Sequence, residues 1–147
     1  PVQVMGGSST AVLSGALAAG TNAIGDVGIQ YRANATGGAT IKHIVSAAST
    51  NATNTKAAAG RLVGWSFVNT TASWQYVKLH NTAGTPTAGA AVVMTISIPP
   101  NSVNNMPVAG GGIAFATGIA YTIVTGSADA DATATTLGSV VGDLFYA

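Results

Sequence analysis

The chain has 147 residues, enough for one domain that buries roughly two thirds of its unfolded surface without metal or disulfide staples. Cysteine is absent, which excludes disulfides, thiolate nucleophiles and sulfur-ligated metals. Only 6% of residues are charged and the net charge is +1, against about 25% charged residues in ordinary soluble domains, so the basic footprint that nucleic-acid binding needs is missing.

Glutamate is absent, and the acids are Asp26, Asp129, Asp131 and Asp143. A surface built from Thr, Ser, Asn, Ala and Gly hydrates through hydroxyls and amides and repels its own copies weakly. Such a surface suits a protein that spends its life assembled. No apolar run approaches the ~20 residues of a membrane helix, so no membrane partner is expected. Pro1–Gly6 has neither the basic nor the apolar stretch of a secretory signal.

Residues 1–38 read as an extended N-terminal arm. Short alternations such as Val2/Val4 and Val27/Ile29 are broken by Gly6-Gly7, Gly15, Gly20, Gly25 and Gly28. Such a segment offsets its ordering entropy only by lying on something else, here a neighbouring subunit.

Residues 39–147 read as a β-sandwich. Thr40–Ser46 is rich in β-branched residues and predicts a strand. Arg61–Val68 places Val63, Trp65 and Phe67 on one face, and Trp74–His80 returns with Val77 and Leu79 opposite Tyr76, Lys78 and His80. The Asn69–Ser73 turn between them predicts a hairpin. The long polar Asn81–Gly89 stretch predicts a crossing between sheets. Val92–Ile98 follows, ended by Pro99-Pro100. Ile113–Thr117 and Ile119–Val124 are two strands separated by a bulge or bend at Gly118, and Val140–Tyr146 is the last. No stretch carries a capped 3.6-residue stripe, and Ala130–Thr136 reads as loop. The fold class is therefore all-β, a sandwich with jelly-roll-like or Greek-key wiring.

The chemistry-bearing residues are few. His43 and His80 have no nucleophile pattern beside them, and both read as residues of a polar strand face. Asp129-Ala130-Asp131 lacks the further acids of a calcium loop and reads as a solvated turn. Gly110–Gly112 has no Lys-Ser/Thr after it and reads as a turn, not a phosphate cradle. The acids are too sparse for a glycosidase pair. Three Asn-X-Thr triplets, at Asn34, Asn51 and Asn69, carry no weight in so Asn- and Thr-rich a chain. The expectation is a protein without catalytic, cofactor-binding or metal-binding residues, and not an enzyme. Trp65 reads as core, whereas Trp74 and Tyr76 are the candidate contact surface.

Four blocks carry a resemblance. They are Ala57–Trp65 (AAAGRLVGW), Tyr76–Thr87 (YVKLHNTAGTPT), Gly112–Ala120 (GIAFATGIA) and the ending Asp143–Ala147 (DLFYA). With the linker-like Ala19–Val27, they make the chain resemble small virion proteins of tailed bacteriophages. The resemblance implies a capsid cement or decoration protein with a jelly-roll-like sandwich. Such a protein forms a homotrimer and binds the major capsid protein on the outer surface of the head. The rival expectation is a receptor- or glycan-binding module of a head or tail fibre, which an exposed Trp74 and Tyr76 would favour.

Overall fold

A computed structural model of the chain describes residues 38–147. The arm expected over residues 1–38 lies, apart from Gly38, outside the described residues. Nine strands form, all paired antiparallel, and no helix occurs among the described residues. They are β1 (Thr40–Val45), β2 (Thr53–Lys56), β3 (Gly60–Asn69), β4 (Gln75–Asn81), β5 (Val92–Ile98), β6 (Ser102–Pro107), β7 (Ile113–Phe115), β8 (Ile119–Val124) and β9 (Val140–Tyr146). One sheet, here sheet A, runs β1-β9-β3-β6 with β7 beside the start of β3; the other, sheet B, runs β2-β8-β4-β5.

The pairing is nested. β4 pairs with β5, β3 with β6 and β7, β2 with β8, and β1 with β9. The chain is thus one long antiparallel ribbon, doubled back at the β4–β5 loop and rolled so that successive pairs fall in alternate sheets. That is a jelly roll. The sandwich expected from the sequence forms, with this wiring.

The core is the space between the sheets. Leu62, Trp65, Phe67, Leu144 and Ile44 enter it from sheet A, and Val77, Leu79, Ile96, Ile98, Ile119, Tyr121 and Ile123 from sheet B. Alternation along each strand sends these residues inward. Trp65 is buried, as expected, and its indole Nε1–H donates to Asn104 Oδ1 at 2.9 Å.

Several expectations are corrected. β3 and β4 are not a hairpin, because they lie in different sheets. The reason is Asn69, which is 1% exposed. Its amide donates to Ser73 O at 2.8 Å, Ile98 O at 3.1 Å and Pro99 O at 2.9 Å, and its Oδ1 accepts from Thr71 N–H at 2.9 Å. These bonds tie the turn to the far end of β5 and steer the chain across the sandwich. The Asn81–Gly89 stretch does not cross. It joins β4 to its immediate neighbour β5. Val63 is not a core residue, since the β3–β9 register slips between Leu62 and Gly64 and turns Leu62 inward instead. Gly118 is more than a bend, because β7 and β8 on either side of it lie in different sheets. A side chain there would meet Thr82 O at 2.4 Å and Lys56 O at 2.6 Å. β2 and β6 were not expected as strands; their sequences, TNTK and SVNNMP, are mostly polar.

Candidate contact surface

The two sheets differ in what covers their outer faces. On sheet B, Lys78 and His80 of β4 and Ala120, Thr122 and Val124 of β8 point away from the core, yet all are buried. Residues 125–139 fold over this face and meet the β4–β5 loop, where a side chain at Gly89 would lie 2.6 Å from Ala130 O. Lys78 and His80 thus share the strand face opposite Val77 and Leu79, as expected, and the loop buries that face. The Lys78 ammonium is the pin of the covering loop. It donates to the carbonyls of Ala128 and Asp131, the latter at 3.3 Å. A buried charge is tolerable only when held by such acceptors.

His80 Nε2 lies 3.0 Å from Thr122 Oγ1, and its Nδ1 has no hydrogen-bond partner. Burial lowers the His80 pKa below 6.5; the nearby backbone of Ala90 and Ala91 opposes this, and the Lys78 charge adds to it. A small polar cavity of about 220 Å³ adjoins it, lined by Thr82, Thr85, Thr87 and Ala91 among others. No carboxylate lines that cavity; its hydroxyls come from Thr82, Thr85 and Thr87. Asp131 organises its own turn. Burial works to raise its pKa, but bonds from the Thr133 N–H and hydroxyl and the Gly126 N–H, with the Lys78 charge, outweigh it and lower the pKa. Among the described residues no group of three or more metal-ligating side chains converges.

Trp74 and Tyr76, the candidate contact residues, lie side by side. Their rings stack with centroids 6.4 Å apart and planes 18° from parallel, and Trp74 remains 47% exposed. Among the described residues Trp74 is thus half exposed, with Tyr76 stacked against it.

Among the described residues, none folds over the outer face of sheet A in this way. Register aligns its outward side chains into three rows across β1, β9, β3 and β6. At one end lie Val45, Val141, Val68 and Val103; at the other lie Ile41, Phe145, Gly64 and Pro107. Between them runs a polar row in which His43 Nδ1 sits 2.9 Å from Asp143 Oδ1 and Ser66 Oγ donates to Asn105 Oδ1 at 3.0 Å. Ile41, Val45 and Val103 are each more than half exposed. Residue-by-residue reading missed this face, because it needs the strand order, and only the alternation within each strand signals it.

No family model, curated protein or solved structure matches the chain.

The four blocks that carried the resemblance meet at one end of the sandwich. Ala59, Gly60 and Arg61, then Asn81, then Ala114–Ala116, and finally Ala147 line a single open depression of about 580 Å³. Gly60 pairs with Phe115, Arg61 and Ala147 exchange two backbone hydrogen bonds of 2.8 Å, and Asn81 Oδ1 accepts from Thr117 N–H at 2.8 Å and Gly118 N–H at 3.3 Å. The blocks therefore build a clasp that holds the C-terminus, the β7–β8 sheet switch and the β2–β3 turn together.

Proposed function

We propose that this chain is a virion structural protein, a cement or decoration protein that stabilises a bacteriophage head by binding the outer surface of the major capsid protein shell. The observation that carries the reading is the convergence of the four blocks on one structural clasp. The blocks that carry the resemblance are then explained by what they build, a jelly-roll scaffold. The outer face of sheet A, over which no other described residue folds, supports the reading further. A charge-poor face with two apolar rows is suited to another protein surface and gives little purchase to nucleic acid.

The rival reading, a receptor- or glycan-binding module, rests on the half-exposed Trp74 backed by Tyr76, since sugar rings stack on aromatic faces. The test is addition of the purified protein to shells that lack it. Saturable binding in proportion to capsomers, with shells that then resist heat or low ionic strength better, is the expected result. Absence of shell binding, together with Trp74-dependent binding on a glycan array, would replace this reading with the rival.

A further inference from the structure

We infer that residues 85–91 of the β4–β5 loop form a latch over His80 that lifts in acid while the sandwich beneath it stays folded. The inference does not rest on the virion reading.

The geometry supplies a buried group, a lid and a hinge. His80 is 1% exposed, with Nε2 3.0 Å from Thr122 Oγ1 and with no hydrogen-bond partner for Nδ1 among the described residues. The loop walls the cavity beside the ring through Thr85, Thr87, Ala90, Ala91 and the buried Pro86. Its near end is anchored, because the Asn54 amide donates to Thr82 O at 3.1 Å and to Gly84 O at 3.2 Å. Its far end runs into β5, which among the described residues is the edge of sheet B and pairs with β4 alone. The β4–β5 register slips between Leu79 and His80, and beside the slip Ala91 is left-handed at φ 51°, with Gly89 at φ 80°. Alanine holds such a backbone only where its surroundings impose it, so the far end relaxes once released.

The surroundings oppose a charge on the ring. β8 presents Ala120 and Thr122, β5 presents Val92, and residues 81–91 contain no titratable group. Lys78 lies two positions along the same face of β4, about 7 Å away at the usual strand rise, and its ammonium already takes the carbonyls of Ala128 and Asp131. Beyond β8, β2 sets Asn54 in the same row and ends in a further cation, Lys56. In the segment that covers Lys78, Asp131 turns its carboxylate to the Gly126 and Thr133 N–H groups and the Thr133 hydroxyl, and Asp129 is exposed. Burial therefore holds the closed ring below 6.5, with the Lys78 charge adding to it against the backbone of Ala90 and Ala91. The open form takes the proton first, and its share grows as pH falls below about 6.5, by at most about tenfold per pH unit. Lifting one loop and the start of an edge strand breaks far fewer contacts than unfolding the sheets, so it comes first.

Amide exchange of the full chain, read residue by residue by NMR and corrected for the intrinsic effect of pH, tests this. Between about pH 7 and about pH 5, protection at Ala90 and Val92 is expected to fall by up to about tenfold per pH unit, while amides of β3 and β9 keep theirs to within about twofold. His80→Gln is expected to make the loop profile flat. The parent chain supplies a reading that needs no variant, since it has two histidines and the exposed His43 is a reference for His80. The His80 ring is expected to titrate together with the loss of loop protection. A His80 ring that takes its proton with the loop still protected overturns the inference. So does a loop profile that is flat in the parent, one that stays steep in His80→Gln, or a loss shared equally by β3 and β9.

Discussion

Replacing Gly142 by alanine tests whether β9 and β3 approach as closely as the fold requires. Gly142 lies opposite Phe67 in the β9–β3 ladder at the centre of sheet A. A β-carbon there would stand 1.9 Å from Ser66 O, 2.8 Å from Phe67 Cα and 2.9 Å from Phe67 Cδ1. The first two are backbone atoms and cannot swing aside. Ordinary contact begins at 3.4 Å, so the strands would have to part locally by about 1.5 Å. That exceeds what a ladder hydrogen bond tolerates. The cost is about 1–3 kcal/mol for overpacking plus about 1 kcal/mol for each ladder bond lost, or about 3–5 kcal/mol in total. For a domain of this size the melting temperature should fall by about 10–20 °C. Urea and thermal unfolding followed by circular dichroism measure it, with Gly84→Ala as the control, since only Thr82 Oγ1, at 3.9 Å, lies near that position. A Gly142→Ala protein within about 0.5 kcal/mol of the parent would refute the reasoning.

Three further outcomes follow from named contacts. His80 has a folded pKa below its unfolded value of 6.5, so the unfolded chain binds the extra proton first and stability drops as pH falls below about 6.5. His80→Gln should flatten the urea-midpoint profile between about pH 7 and about pH 5, where one such group contributes a slope of at most about 1.4 kcal/mol per pH unit; an unchanged slope would contradict the burial argument. Asn81→Ala removes the acceptor for two backbone N–H groups at the β7–β8 switch and should cost about 1–3 kcal/mol in unfolding experiments. Trp74→Ala should leave stability within about 0.5 kcal/mol, because the residue is half exposed and stacks on Tyr76; a larger loss would mean that the ring packs into the fold.

The sandwich was legible because Val92–Ile98 and Ile119–Val124 alternate with period 2 and Thr40–Val45 is rich in β-branched residues. Wiring was less legible. Asn69-Thr70-Thr71-Ala72-Ser73 has hairpin chemistry, and nothing local reveals that the Asn69 amide is bound to the end of β5. β2 and β6 escaped because polar strands pair through backbone groups that carry no side-chain signature. The burial of Lys78 and His80 was not legible for a related reason. Alternation correctly pointed them away from the core, but the cover provided by residues 125–139 is a tertiary fact. Trp74 and Tyr76 were legible as a pair two positions apart on a strand start, and the structure brings them together. The banded face of sheet A needed four strands in order, which no single segment encodes.

The most direct test of the central claim is the copy number of this chain in purified virions, counted by quantitative mass spectrometry against the major capsid protein. A cement protein is predicted to be present in fixed proportion to capsomers and to disappear from particles together with head stability. A handful of copies per particle, or none, would contradict the account.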